Sequence, residues 1–389
     1  MLAIAIEAVT TVLTLAGLGY YLLALWSARS FVRHLRQPLP QFHPPVSILK
    51  PVKGLDPGMY GSFASHCRQQ YAGEYEILFA VSSFDDPAVQ AIHRLQAEFP
   101  DRAIRLVLCP ESLGANGKVS NLVQVLPYAR FDYLLINDSD IQVSPDYLRN
   151  IMAHFECPHR AGGRVGMVTA PYRGRAHTTL GSRMEALGIS TDFIPGVLTA
   201  RNLEDGIHFA LGSTLAISRE ALNEIGGLAP LVDYLADDYE LGVRVARSGF
   251  EVALSGEVVD TFVPAYTFPQ FLAHQTRWAR STRDSRKLGY AGLAFTYGLP
   301  WAFFNLIASG ANLPSVALLS LTLAARVALA LVVGVGIVGD RQVLRDLWLL
   351  PLRDVVALGI WAWSFAGNTV AWRGEEFSLK DGKLHKMAA

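Results

Sequence analysis

The sequence predicts an α/β fold, a mostly parallel sheet with helices on both faces, joined to transmembrane helices on its N- and C-terminal sides. Three observations lead there. Between residues 45 and 265, short runs apolar on both faces alternate with helical patterns, as in a parallel sheet covered on both sides. Long apolar segments flank that stretch, at residues 3–26 and 290–372. Acidic pairs stand where two of the runs end, and open α/β sheets bind ligands beyond the carboxyl ends of their strands.

The 389 residues are 51% hydrophobic and only 17% charged, with 34 basic side chains balancing 34 acidic ones. A nucleic-acid partner is not expected, because such binders carry a basic excess. Cys67, Cys109 and Cys157 stand far apart without CxxC spacing, which suggests buried thiols in a reduced compartment and no disulfide or zinc framework.

Residues 1–28 read as an N-terminal transmembrane anchor. The apolar run 3–26, broken only by Glu7, exceeds the roughly 20 residues a spanning helix needs. It lacks the basic start and small-residue cleavage site of a signal peptide. Arg29, Arg33, His34 and Arg36 follow, so the positive-inside rule puts that flank in the cytoplasm and the N-terminus outside. Gln37–Pro45, with four prolines, separates the anchor from the domain.

Within 45–265, "VSILKPV", "EILFAVS", "AIRLVLC", "YLLINDSD" and "VGMVTAP" are the expected strands, with a helix over Asp56–Tyr71. Residues 266–289 form a basic interfacial helix, and 290–372 a C-terminal membrane region with candidate spans near 290–311, 314–338 and 354–371. Arg326, inside the second span, is expected to face protein, water or a headgroup. Three spans would send the basic tail 373–389 (Arg373, Lys380, Lys383, Lys386) outside, against the charge rule, so "YGLPWAFF" is the candidate for a re-entrant segment. The expected location is an integral, multi-pass membrane protein with the 45–265 domain in the cytoplasm, in the inner membrane for a bacterial chain.

Asp138-Ser139-Asp140 follows a buried run and has two readings. Asp and Ser are ordinary turn residues. Two carboxylates one residue apart also suit a hard divalent cation, Mg²⁺ or Mn²⁺, shared with substrate phosphates. Asp85-Asp86-Pro87 either caps a helix or adds acid at a second strand end. "GANGKVSNL" brings Asn116 and Lys118 to a loop entering a helix, where amides and an ammonium meet anions, though the P-loop spacing is absent. Asp237 and Asp238 open "ADDYELG" as helix caps or as a general base with a neighbouring acid. In "HQTRWARSTRDSRK", His274, Arg277, Arg280, Arg283 and Arg286 recur every third residue with Trp278 among them. Such a helix reaches lipid headgroups, closes Arg277 and Trp278 over a diphosphate, or does both, since it directly precedes the membrane region.

In order and spacing, Asp85-Asp86, Asp138-Ser139-Asp140, Asp238 and "HQTRW" resemble the D, D, D, (Q/R)xxRW signature of membrane-bound GT-A glycosyltransferases. "ILKPVKGLDP", "FDDPAV", "GANGKVSNL", "ADDYELG" and the closing "VAWRGEEF" are similar to the ceramide glucosyltransferase family over nearly the whole chain. The resemblance implies a GT-A domain with a Rossmann-like sheet, a UDP-sugar donor, a divalent metal, a lipid hydroxyl acceptor and inversion at the anomeric carbon. It makes Asp86 the first family aspartate, near the nucleotide with Asp85. Asp138 becomes the second, with Asp140 completing a metal pair. Asp238 becomes the catalytic base beside Asp237. Asn116, Lys118, His274, Arg277 and Trp278 are then donor-binding.

Two departures stand out. His274 occupies the first place of (Q/R)xxRW, and Thr191 stands where eukaryotic members carry a His after Gly-x-Ser. They admit two acceptors: ceramide receiving glucose, or the hopanoid polyol bacteriohopanetetrol receiving N-acetylglucosamine, as in a bacterial branch of the family. The rival readings are a processive polysaccharide synthase, expected to keep Gln in QxxRW, and a non-catalytic membrane-bound UDP-sugar sensor, expected to have lost the base or the metal pair.

Overall fold

The structure, a computed structural model, describes residues 1–157, 163–372 and 375–386. Arg373 and Gly374 of the closing motif lie outside the described residues. The chain divides into two units. A sheet unit holds 37–175, 204–264 and 382–389, and a helical unit holds 1–36, 176–203 and 265–381. Residues 176–203, read from the sequence as part of one continuous domain over 45–265, thus belong with the apolar helices.

In the sheet unit the strands are β1 (Val46–Pro51), β2 (Tyr75–Val81), β3 (Ala103–Leu108), β4 (Tyr133–Ile136), β5 (Ile141–Gln142), β6 (Val165–Thr169), β7 (Tyr172–Arg175), β8 (Leu215–Ser218), β9 (Glu251–Leu254) and β10 (Val259–Phe262). The main sheet runs β3-β2-β1-β4-β8-β6-β9. β1 is parallel to β2 and β4, with Leu49 level with Leu78 and Ile136. Every residue of β1, β2 and β6 is buried, which is why apolar side chains predominate on both faces of these strands, whereas edge strand β3 exposes Ala103, Arg105 and Leu108. Phe63, Phe79, Ile92 and Leu95 belong to the core packed about them.

β8 escaped the sequence reading. It is antiparallel to both β4 and β6, so the sheet is mixed, and its first residue, Leu215, pairs with the last residue of β4, Ile136. The segment before β8 therefore arrives at the edge of the sheet where "NDSD" leaves it. A smaller sheet, β5-β10-β7, sets Thr261 of β10 level with Ile141.

In the helical unit, Leu2–Leu35 and Leu313–Ile337 are each long and apolar enough to cross a membrane. The "YGLPWAFF" region is a pair of helices, Lys287–Thr296 and Gly298–Ala308, bent by 52°. The expected span near 354–371 is a shorter helix, Leu350–Ser364, followed by strand β11 (Thr369–Trp372), which pairs antiparallel with β12 (Glu375–Lys380). Glycine sets one crossing: a Cβ on Gly17 would lie 2.2 Å from Gly298 Cα, so the two backbones touch only because both residues lack side chains. Arg326 faces protein. Its guanidinium forks onto Asp354 at 2.7 and 2.8 Å and donates to the Thr191 carbonyl at 2.8 Å. After Asp381 the chain returns to the sheet unit as β13 (Lys383–Lys386).

Candidate active site

The parallel strands discharge their loops at one edge, and carboxylates from two separate segments converge there on the ammonium of a third. Lys118, in the first turn of the helix Gly117–Val125, lies 2.8 Å from Asp138 Oδ1 and 3.4 Å from Asp237 Oδ2. A cation is disfavoured at a helix N-terminus, so these carboxylates, not the helix, fix its position. Burial opposes its charge, but Asp138 and Asp237 outweigh burial and hold the ammonium above its ordinary pKa.

Asp237 and Asp238 open the helix Asp237–Arg247, where the macrodipole favours negative charge. Asp238 faces Gly212 in the approach to β8: a Cβ there would stand 2.8 Å from Asp238 Oδ2. Burial, and then the charge of Asp237, push the Asp238 carboxyl up to about 6, with Lys118 pulling the other way. Such a group is ionised at neutral pH yet close to its titration, the condition a general base requires.

Asn116 is fully buried and acts within the protein. Its Oδ1 caps the Gly117–Val125 helix at the Val119 amide. Its Nδ2 donates to the Tyr234 carbonyl at 2.8 Å and to Asp237 Oδ1 at 3.3 Å, aligning the two loops that carry Lys118 and Asp237.

Asp138 keeps 41% of its side chain exposed, while Asp140 accepts the Thr261 hydroxyl. Burial, and then Asp138, push the Asp140 carboxyl up to about 6, a strain that a shared cation would relieve. Among the described residues no cluster of three or more His, Cys, Asp or Glu could hold a metal. A hard cation on Asp138 and Asp140 would therefore draw its other oxygens from a diphosphate and water, as Mg²⁺ commonly does. On that donor set the pair fits such an ion.

Below the "NDSD" turn runs a polar chain that the sequence reading missed. Lys50 is fully buried in β1, donates to the Asp138 carbonyl at 3.1 Å and lies 3.5 Å from His66 Nε2. His66 neighbours Asn137 at 3.2 Å, and Asn137 donates to the Tyr147 hydroxyl and to the Ser213 carbonyl. Desolvating an ammonium costs on the order of several kcal/mol. Burial accordingly lowers Lys50 to about 7 and, with the Lys50 charge, His66 to about 3. Asp56 accepts the Ser139 hydroxyl on the other side of the turn. A lysine within a mostly apolar, wholly buried strand was the available signal.

Asp85 and Asp86 differ from that group. Asp86 accepts the Gly54 amide at 2.9 and 3.0 Å and the Ala88 amide at 2.9 Å, while Asp85 is exposed beside Ser83.

His274, Arg277 and Trp278 lie in the helical unit on the helix Phe268–Ser285. His274 Nδ1 is 3.0 Å from the carboxylate of Glu185, and its ring centroid is 5.2 Å from Tyr266 and 5.1 Å from Trp278. On the same helix Arg280 donates to the Thr369 carbonyl, and Arg283 to those of Ser364 and Gly367, so both brace the chain leaving Leu350–Ser364.

Known proteins bear on this arrangement. The chain is 28% identical over 237 residues to ceramide glucosyltransferase 3 of Caenorhabditis elegans, which covers 61% of this chain and 50% of the relative. It is also 28% identical over 163 residues to the ceramide glucosyltransferase of Candida albicans, covering 39% and 30%. The chain spans about half the length of the C. elegans relatives it matches. A mannosyltransferase from Pyrobaculum calidifontis, solved with GDP-Man and Mn²⁺, superposes with a TM-score of 0.56 at 21% identity, over 92% of this chain and 99% of the other. That likeness shows a GT-A fold. The sequence profile of glycosyl transferase family 21 matches residues 9–385, nearly end to end, and the chain belongs to that family.

Proposed function

We propose that the protein is a membrane-held, inverting hexosyltransferase that moves a sugar from a UDP-sugar to a lipid hydroxyl, with glucose and ceramide as the leading pair. One observation carries this reading: the convergence of Asp138, Asp237 and Asp238 about Lys118 at the ligand-binding edge of the sheet. Asp238 accepts the proton of the acceptor hydroxyl as its oxygen forms the new bond to the anomeric carbon, and the bond to UDP breaks on the opposite side. Lys118 offsets charge arriving on the diphosphate. Asp138 and Asp140 would hold a divalent ion, which would supply Lewis-acid neutralisation of the leaving group. Arg277 and Trp278 are proposed as further donor contacts, with His274 oriented by Glu185.

The test is transfer by purified protein in detergent. UDP-glucose and UDP-N-acetylglucosamine are each offered to ceramide and to bacteriohopanetetrol, with and without Mn²⁺. Product on the glucose–ceramide pair, lost on chelation, is the expected result. Product only with N-acetylglucosamine and bacteriohopanetetrol moves the assignment to the hopanoid acceptor. No transfer on any pair, despite UDP-sugar binding by folded protein, overturns both acceptor assignments and leaves another lipid acceptor or a non-catalytic sensor.

A further inference from the structure

The catalytic carboxylates proposed above hang from a loop with little regular structure of its own. Residues 232–236 are only half-buried and join the short 3-10 helix Ala229–Leu231 to Asp237 without forming a helix of their own. One side of the loop is tied to the Asn116 segment. The Asn116 amide donates to the Val232 carbonyl at 2.7 Å, and the Ala115 amide to Asp233 Oδ1 at 2.9 Å.

The other side is tied to β13, from the far end of the sequence. The Leu384 amide donates to the Asp233 carbonyl at 2.7 Å, and the Leu235 amide donates to the Gly382 carbonyl at 3.0 Å. Tyr234 and Lys383 form an antiparallel bridge, and the Lys383 ammonium lies 5.3 Å from the centre of the Tyr234 ring. Leu384 is 3% exposed, so the strand is seated by an apolar side chain as well as by its backbone. Gly382 makes the turn into it at φ +78°, and a Cβ there would meet the Tyr234 ring at 3.1 Å. Beyond the strand an open cleft of about 580 Å³, lined in part by Ser112, Gly114, Lys383 and His385, leaves its other side to solvent.

We infer that β13 is a positioning strap: it adds a strand to the 233–235 loop and thereby holds Asp237 and Asp238 in register with Lys118. Leu235 lies two residues before Asp237, so slack at Leu235 becomes displacement of both carboxylates. A misplacement of about 1 Å in catalytic geometry costs on the order of 10²-fold in rate. In the sequence these residues read as part of a basic tail over 373–389. The inference rests on the proposed activity for its kinetic consequence, but not for the structural one.

The experiment uses the full chain in detergent with three variants. Leu384→Pro removes the amide donated to Asp233, Gly382→Ala strains the turn, and His385→Ala changes an exposed side chain of the same strand. Amide hydrogen exchange is followed at 233–239, beside kcat and the KM for the UDP-sugar. The expected result is faster exchange confined to that segment in Leu384→Pro, with kcat down roughly 10- to 100-fold and KM little changed. Gly382→Ala follows in the same direction with a smaller change, and His385→Ala matches the parent. If Leu384→Pro exchanges throughout the molecule, Gly382→Ala decides the matter. Unchanged exchange at 233–239 in the folded variants overturns the strap, and so does faster exchange there with kcat intact. A parent protein without transferase activity removes the enzymatic reading only; the exchange data still decide whether β13 holds the loop.

Discussion

Two parallel strands, β2 and β4, end at the same edge of the sheet, and each is followed by two carboxylates. After β2, Asp86 is occupied by the amides of Gly54 and Ala88, and Asp85 stands in solvent. After β4, Asp138 meets an ammonium shared with Asp237, and Asp140 is crowded by burial and by Asp138. The difference lies in what surrounds the carboxylates. Backbone donors make an acidic residue a fastener of loops, whereas neighbouring charges and burial leave it with unbalanced electrostatics that a substrate or cation can resolve.

Substitutions at the two ends put that contrast to the test. The largest effect is expected at the β4 side. Asp238→Asn should lower kcat by about 10³-fold while calorimetry still detects the UDP-sugar. A variant that keeps its turnover would remove the base from this loop altogether. Lys118→Met comes next, with kcat/KM down by about 10²-fold.

A pH series sharpens the result. In the parent, kcat/KM should fall as the pH drops through about 6, because protonated Asp238 cannot accept the acceptor's proton. Lys118 favours the ionised form, so its loss should move that limb to higher pH. Asp237 disfavours it, so Asp237→Asn should move the limb to lower pH. Opposite displacements confirm coupling through one cluster, and a common displacement contradicts it.

At the β2 side, Asp86→Ala should be mainly a stability change of about 1–2 kcal/mol, seen as a lower Tm, from the amide hydrogen bonds it forfeits. A loss of turnover as large as that of Asp238→Asn, with Tm unchanged, would break the comparison. Asp85→Ala is expected within about 0.5 kcal/mol of the parent in stability.

How much of this was visible in the sequence varies by element. β1, β2, β4 and β6 were legible because double-sided burial imposes an apolar run that local composition reveals. β8 was not: four residues give too short a period, and its antiparallel pairing with β4 depends on a partner about eighty residues earlier. The acidic and basic members of the cluster were legible by type and by their place at strand ends and helix starts. Asn116 was legible by type alone, and its saturated amide appears only once the loop at Tyr234 is folded against it. Lys50 sat in view inside "VSILKPV", but its role depends on the Asp138 carbonyl 88 residues away. β13 was read as a charged tail because lysines dominate it, while the Leu384 backbone bond that seats it leaves no mark on composition.

The Arg326–Asp354 fork has a consequence for how the protein reaches its membrane. Arg326 sits near the middle of the helix Leu313–Ile337, and a lone arginine at such a depth costs about 2.5–3.5 kcal/mol on insertion. Its counter-charge lies on the helix Leu350–Ser364, 28 residues further along the chain. The most hydrophobic span of the molecule is therefore a poor candidate for independent entry into a bilayer. It enters at least cost as a neutralised pair, which makes biogenesis of this region a joint event of two helices.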